Sequence, residues 1–451
     1  MAKKARAAKA KPDQGVWRPK TTTTADSPFA AVQLDKKSPF SSAPSNPGSS
    51  VFGTAKQTIA NEIPDSYIPP GCDVEEDDEN SAPSVVTFEE ILQQGYWCPP
   101  RLIGRNNSLV EAVNDWHFAM LNDSHRNEFF WKSMIGVVEG KKVIDIGAGS
   151  GLLSMMAARL GASEVLAIEA SGDMVELARK NIEVNGFGMS DKIKVVHNMS
   201  NKVVLAEEEK ADVIVSETLG TVMLGEGILD FMSDARRRLA KPNARVIPSQ
   251  GSQYAMLVSS ASLETISSFR KGRCIGDFDL TAIGVLQDTA NLFFTKQWGF
   301  RLSTIQDLVQ MSDRICILNV DFHKTERNHL SQVKEFRLTA RSSGVIHAVV
   351  ASWEVSSEDG AGNHLNMSTH HEDTKDPPWG FARDIQWGQG LQLVEDADLS
   401  TCQDRYSQPE PFTVEEGEEL ILTVRFQQPT RQTCQFQLRR ASRTCKGASS
   451  G

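Results

Sequence analysis

The stretch Val143-Ile-Asp-Ile-Gly-Ala-Gly-Ser-Gly-Leu152 decides the fold. Val143–Ile146 predicts a short buried strand, and Leu152–Leu160 predicts a helix directly behind the glycines. Asp145, Gly147, Gly149 and Gly151 therefore sit at a strand-to-helix turn, where missing side chains let backbone approach a ligand. The spacing is GxGxG. A dinucleotide fingerprint needs its third glycine at position 152, which is Leu152. A phosphate loop needs Gly-Lys-Ser/Thr, and none follows. An acid two residues before the first glycine suits a cationic or amine-bearing ligand. Taken alone, the stretch also reads as a plain tight turn.

Working outward, strand and helix patterns alternate. Val165–Ile168 predicts a second strand, Met174–Val184 a helix stopping at Asn185-Gly186, and Ile193–Val196 and Val213–Val215 two further strands. Gly227–Leu239 predicts a helix closed by Lys241-Pro242. This rhythm implies an α/β, Rossmann-like, mostly parallel sheet. Glu169 ends the second strand. An acid there accepts hydrogen bonds from ribose hydroxyls, or else complements the dipole of the following helix. With Asp145 placed for an amine, the pair matches S-adenosylmethionine better than a pyrophosphate.

The segment Ser216-Glu-Thr-Leu-Gly-Thr-Val-Met-Leu-Gly-Glu226 follows the fourth strand. Glu217 and Glu226 bracket a glycine-containing loop at the end of the sheet where α/β sites lie. Two converging carboxylates serve as an acid/base pair, as metal ligands, or as a bidentate grip on a guanidinium. No His or Asp accompanies them locally, which weakens the metal reading. Two unrelated surface glutamates are the bland alternative.

Composition sets the frame. The 451 residues are 40% hydrophobic and 24% charged, enough for two or three units. No apolar run approaches a membrane span, and no apolar core follows the N-terminal lysines. Seven scattered cysteines without CxxC pairs suit a reducing compartment. Net charge is −10; residues 1–20 carry about +6, so the remainder is strongly acidic. Such a body is a poor nucleic-acid binder by bulk charge, so no direct nucleic-acid binding by the core is expected; the charge suits a basic peptide or, on charge alone, simple solubility. Residues 1–90 read as a disordered tail, 91–248 as the α/β domain with covering helices, 249–442 as an antiparallel β domain, barrel or sandwich, and 443–451 as a frayed end. Within 285–312, Leu292, Phe293, Phe294, Trp298, Phe300, Ile305, Leu308 and Val309 fall at helix-like spacing, predicting a helical cap or a protein contact. His364, His370 and His371 read as a solvated loop rather than a metal site.

Val143–Leu153, Ala167–Glu169 and the Glu217–Glu226 loop together resemble the protein arginine methyltransferase family, the loop being similar to its "double-E" hairpin. His117-Phe-Ala-Met120-Leu-Asn-Asp123-Ser-His-Arg126 resembles the family's covering helix, and Arg383-Asp-Ile-Gln386-Trp387 its "THW" loop with Gln for His. Gln386 and the small residues Gly220, Thr221, Gly225 and Gly227 resemble the monomethylating subfamily, that of protein arginine methyltransferase 7. The likeness runs from about residue 95 to 440.

The resemblance implies a Rossmann-like methyltransferase domain followed by a β-barrel with a helical dimerisation arm at about 285–312. It implies methyl transfer from S-adenosylmethionine to an arginine nitrogen, leaving S-adenosylhomocysteine, without a metal. His117 and Arg126 would hold the methionine end, Asp145, Gly147 and Gly149 the amino-acid moiety, Glu169 the ribose, and Ser200 and Asn201 the adenine edge. Glu217 and Glu226 would clamp the substrate arginine. Met120 would limit the space at its target nitrogen; Gln386 and Trp387 would close the pocket, with Asp123 as their partner. The implied substrates are Arg/Gly-rich or basic segments, such as RNA-binding proteins or histone tails. The implied assembly is a homodimer, and the expected location is cytoplasm, with the nucleus as a second site. A dimethylating enzyme and a non-catalytic scaffold binding RNA or protein are the rival readings.

Overall fold

The computed structural model describes residues 87–186, 188–269, 278–296, 298–374, 387–397, 408–427 and 433–441. Residues 1–86 of the proposed tail, Gln386 and the end segment 443–451 lie outside that set. The last residues assigned to the tail are helical: α1 (Phe88–Gln93) starts on a reciprocal cap between Thr87 and Glu90.

After a 3-10 turn at Pro100–Leu102, four further helical elements lead into the first domain. They are α2 (Asn107–Ala112), a π-type turn over Val113–His117, α3 (Phe118–Asn122) and α4 (Ser124–Met134). The Rossmann-like unit then alternates strictly: β1 (Lys142–Ile146), α5 (Leu152–Arg159), β2 (Glu164–Glu169), α6 (Gly172–Val184), β3 (Ile193–His197), β4 (Ala211–Ser216), α7 (Ile228–Arg238) and β5 (Ala240–Ile247). All strand pairs are parallel, in the order β3-β2-β1-β4-β5. Helices cover the sheet, so its strands are apolar throughout; Val143, Ile144, Val165, Leu166, Ala167 and Ile214 are fully buried. In α6 the core-facing residues Met174, Val175, Ala178 and Ile182 fall on one stripe, and Ser171 caps its start.

The helix read over Gly227–Leu239 ends before Lys241-Pro242 as expected, α7 spanning Ile228–Arg238, and Pro242 beyond it lies within β5. That strand is the sheet edge and bulges against β4 between Ala211 and Val213, where a missing N–H costs no ladder bond.

β6 (Gln250–Ser259) opens the second domain, and α8 (Ala261–Ser267) follows it. The remaining strands are β7 (Phe293–Phe294), β8 (Val309–Gln310), β9 (Ile315–Asp321), β10 (Val333–Thr339), β11 (Gly344–Ile346), β12 (Ala348–Glu358), β13 (His364–Ser368), β14 (Gly390–Leu393), β15 (Phe412–Val414), β16 (Glu419–Phe426) and β17 (Cys434–Arg440). The long β6/β12 pair is the spine of one antiparallel sheet; β10-β16-β17 and β11-β15 form the others. Side chains alternate across β12. Val349, Ala351, Trp353 and Val355 join the core shared with the first domain, while Ala348 and Val350 join a separate apolar cluster.

That cluster corrects the reading of 285–312. The segment is no helical arm. Its described residues form single 3-10 turns and the two-residue strands β7 and β8, interrupted at Gly299. Trp298, Phe300, Ile305 and Leu308 are used against Met256, Val258, Leu391 and Leu393 of the sheet. The large side chains share one apolar face without a helix beneath them. Among the described residues, no helix is long and apolar enough to cross a membrane.

Candidate active site

The site lies at the C-terminal ends of β1, β2 and β4. Strand order reverses about β1, whose neighbours are β2 and β4, so a crevice opens beyond its last residue. The glycine loop fills the edge of this crevice. Gly147 and Ala148 donate N–H to the carbonyl of Ile168 at 3.0 and 3.1 Å, locking the loop to β2. Gly147 is left-handed (φ +71°), and a Cβ there would meet Thr218 at 3.0 Å, so the acid loop packs directly on the glycine loop.

Glu169 ties the glycine loop to the start of α6. One carboxylate oxygen accepts from Gly149 N at 2.9 Å and the other from Ser171 N at 2.8 Å. Both oxygens keep lone pairs for a ligand while the carboxylate is held still. Asp145 is 1% exposed. Its Oδ2 accepts from Ser154 Oγ at 2.6 Å, while Oδ1 has no hydrogen-bond partner. Burial pushes its pKa up to about 6, opposed by the Ser154 bonds. An orphaned, buried carboxylate oxygen is a strong demand for a donor.

The covering segment supplies the opposite wall. The π-type turn ends at His117, whose imidazole pKa is lowered by burial and pulled back by the Ala112 backbone bond and the charges of Glu217 and Glu169. Widened turns of this kind recur at functional sites. Met120 is half-buried on α3. Asp123 is buried and caps α4, accepting from Arg126 N at 3.0 Å; its expected partner Gln386 lies outside the described residues.

Arg126 makes the central contact. Its Nε and Nη2 donate to Glu217 Oε2 at 2.9 and 2.5 Å. Both side chains are nearly sealed, 4% and 5% exposed. The guanidinium also lies 5.5 Å from the Phe130 ring centroid and donates to Asn127. The two residues expected to serve different ligands are thus joined to each other.

Glu226 is the second acid. Desolvation first, and the charge of Glu217 second, raise its pKa well above the usual carboxylate range; Arg126 and Lys296 oppose this. The loop between the acids folds tightly. Gly225 N donates to Val222 O at 2.7 Å, and a Cβ on Gly220 would lie 3.0 Å from Gly225 Cα and from Val222 O.

The β domain grips this loop by its backbone. Trp387 is buried; its Nε1–H donates to Leu219 O at 3.1 Å, and its carbonyl accepts from Thr221 Oγ1 at 2.7 Å. Trp353 donates to Gly220 O at 2.8 Å and meets Trp387 edge-on, with centroids 5.0 Å apart. Gln253 accepts from Met223 N at 2.8 Å. Gln253, Trp353 and Lys296 were missed in the sequence. No local pattern marks them, because each reaches the loop across a long sequence separation. Ser200 is buried beyond β3, with its carbonyl held by Arg238, whereas Asn201 is exposed. His371, read as part of a solvated loop, is buried in a 3-10 turn.

The fold and the glycine loop define the class: a methyltransferase-type α/β domain joined to a β domain. Residues 131–250 match the family model of the ribosomal protein L11 methyltransferase. The chain is similar to protein arginine N-methyltransferase 7 of Danio rerio, 30% identical over 330 residues, 70% of this chain and 45% of the relative. It is likewise similar to protein arginine N-methyltransferase 7 of Caenorhabditis briggsae, 29% identical, covering 61% of this chain and 43% of that one. An arginine N(omega)-methyltransferase of Streptomyces achromogenes subsp. streptozoticus is 36% identical over 177 residues, 39% of this chain and 48% of the relative. The chain spans less than half the length of these curated relatives. In fold it resembles the Trypanosoma brucei PRMT1 enzyme–prozyme heterotetrameric complex with AdoHcy (TM-score 0.54, 22% identity, 68% of this chain and 86% of that one). It also resembles Arabidopsis thaliana protein arginine methyltransferase 10 (TM-score 0.54, 19% identity, 71% and 91%). The chain is thus similar to the protein arginine N-methyltransferases, and relatives named protein arginine N-methyltransferase 7 are among its matches.

Proposed function

We propose that this protein transfers a methyl group from S-adenosylmethionine to a guanidino nitrogen of arginine in basic protein segments. The observation that carries the reading is the acid pair beside the glycine loop: Glu217 already holds one guanidinium, that of Arg126, and Glu226 is buried where it feels both of those charges.

The residues fit the cofactor. Asp145 Oδ1 lacks a donor that an amino group would supply, and Glu169 retains lone pairs for ribose hydroxyls. Arg126 would meet a carboxylate, and Ser200 and Asn201 would border the adenine. When bound, the cofactor supplies an activated methyl on a positively charged sulfur.

The chain's own residues do the rest. Arginine is protonated at working pH and its lone pairs are delocalised. Two carboxylates on one face concentrate the positive charge on the nitrogens they touch. The remaining terminal nitrogen becomes the better nucleophile. Held by Glu217 and Glu226, it is aligned before reaction, which is where most of the rate arises. A raised Glu226 pKa means that the guanidinium, on entering, draws this acid into its ionised form.

The tight Gly220–Gly225 loop, the buried Trp387 and the half-buried Met120 favour a small pocket and hence monomethylarginine. A homodimer is the proposed assembly. Phe278, Leu280, Ile283 and Leu286 are 64%, 50%, 60% and 75% exposed beside one another in the chain, an apolar surface that a second subunit would cover. The acidic body favours Arg/Gly-rich segments such as those of RNA-binding proteins or histone tails.

Mass spectrometry of an arginine-rich peptide, incubated with protein and S-adenosylmethionine to exhaustion, tests the reading. A stop at one methyl per arginine supports it in full. A second methyl keeps the activity and overturns the product. No gain across several basic peptides, with measurable cofactor binding, brings the scaffold reading forward.

A further inference from the structure

We infer that Gln253 is a positioning residue for the acid pair: with its register partner Trp353 it forms a two-point backbone clamp that holds the Glu217–Glu226 loop in its working shape. The inference rests on the proposed arginine methyl transfer for its kinetic readout, but not for its structural one.

Gln253 on β6 and Trp353 on β12 are directly opposite each other in the antiparallel ladder. Both side chains leave the same face of that sheet, towards the first domain. Trp353 is fully buried and donates to the carbonyl of Gly220 at 2.8 Å. Gln253 is 1% exposed; its Oε1 accepts from Met223 N at 2.8 Å, and its Nε2 donates to Ser352 O at 2.8 Å. The amide is thus pinned at one end to the strand and at the other to the loop.

The two grip points are separated by Thr221 and Val222, in the middle of the acid loop. One holds a carbonyl and the other an N–H, so the loop can neither slide nor rotate without breaking a buried hydrogen bond. Glu226 follows three residues after Met223. Its carboxylate has no hydrogen bond described to the loop, whereas Glu217 is anchored by Arg126. The position of the second acid relative to the first therefore depends on the loop backbone, and the loop backbone depends on the clamp. The packing leaves no slack: a Cβ on Gly251, two residues before Gln253, would lie 2.5 Å from Met223 Sδ.

The cofactor half of the site is built differently. The glycine loop and Glu169 are fixed to β2 and to Ser171, and neither touches Gln253. Loosening the clamp should therefore act far more on the acid pair than on the cofactor residues, which meet the acid loop through Thr218 against Gly147 and Arg126 on Glu217 but keep their own ties to β2 and Ser171. A purely structural residue would weaken both.

The experiment compares Gln253→Leu and Gln253→Glu with the full-length wild-type chain. Leucine keeps the size and deletes both hydrogen bonds; glutamate keeps an acceptor for Met223 N–H. Hydrogen–deuterium exchange reads the clamp without reference to activity. In Q253L, exchange over 217–226 should rise at least about tenfold, while 143–151 stays unchanged. With an arginine-rich peptide, kcat should fall about 10- to 100-fold, the loss expected when a reacting group is misplaced by about an ångström. S-adenosylmethionine affinity by calorimetry should stay within about twofold, and Q253E should recover part of kcat.

The inference is overturned if Q253L leaves exchange over 217–226 unchanged, if its kcat stays within about twofold of wild type, or if cofactor affinity falls in step with kcat. Wild-type protein that transfers no methyl to any arginine peptide would instead sink the proposed function, and the exchange data would still decide the clamp.

Discussion

Replacing Glu217 with Gln bears most directly on how this site works. The change keeps the side-chain shape and removes one charge. Arg126 would remain as a nearly sealed guanidinium, with its paired carboxylate gone. Removing one partner of a buried ion pair costs about 3–5 kcal/mol, because the surviving charge stays desolvated. The Gln carbonyl still accepts from Nε and Nη2, and Asp145 and Glu226 lie within electrostatic reach of Arg126, so the low end applies. A loss of about 3 kcal/mol corresponds to a fall in Tm of roughly 6–12 °C for a unit of this size. The effect on methyl transfer should be larger. A fixed carboxylate aimed at the guanidinium disappears, and removing one such preorganised group lowers kcat about 100- to 1,000-fold. Differential scanning fluorimetry reads the first effect; mass spectrometry of peptide turnover at saturating cofactor, at a temperature where the variant is folded, reads the second. Saturating S-adenosylmethionine should restore part of the lost Tm, because a carboxylate delivered to Arg126 replaces the missing charge. A variant that keeps kcat within about threefold would refute the clamp chemistry. So would a variant whose Tm is unchanged, since the Arg126–Glu217 pair would then not be the buried contact described.

Three further outcomes follow from the same geometry. Gly220→Ala places a Cβ 3.0 Å from Gly225 Cα and Val222 O, so the loop must open; kcat should fall at least about tenfold with little change in cofactor affinity, read by steady-state kinetics and calorimetry. The Asp145 pKa is raised from 3.8 to about 6, so ionising it penalises the folded state progressively between those values and fully above them. Asp145→Asn should therefore raise Tm near pH 7, leave it unchanged below about pH 3.8, and weaken cofactor binding; wild-type affinity should in turn increase between about pH 5 and 7, as calorimetry across that range would show. Glu226 is also raised, so kcat/KM should climb with pH above the ordinary carboxylate range; a profile flat from pH 5 to 8 would contradict its role as a clamp acid.

Much of the first domain was legible because its signals are local. Apolar runs of strand length, glycines at the turn and acids at strand ends are all decided within a few residues. Asp145, Gly147, Glu169 and Glu217 fall where the alternation put them, at the C-terminal edge of a parallel sheet. The 285–312 segment failed for the converse reason. A periodic string of large apolar residues says that they share a face, but not which backbone presents them. The helix end before Pro242 was legible, but the proline's place on a bulged edge strand was not, because that is set by pairing with β4.

The site divides along the same line. The chain by itself determined the chemistry available: two acids around a glycine-bearing loop, an acid at a ribose position, an arginine on a covering helix. Each depends on residue type and short spacing. Only the tertiary structure decided the partnerships. Arg126 pairs with Glu217 across 91 positions, Trp353 reaches Gly220 across 133, and Trp387 reaches Leu219 across 168. These contacts leave no periodic trace, because a covering helix in one case and the β domain in the others reach the loop only once the chain has folded. Burial, which raises Asp145 and Glu226 above their ordinary pKa values, is likewise a property of the folded packing and not of any stretch of sequence.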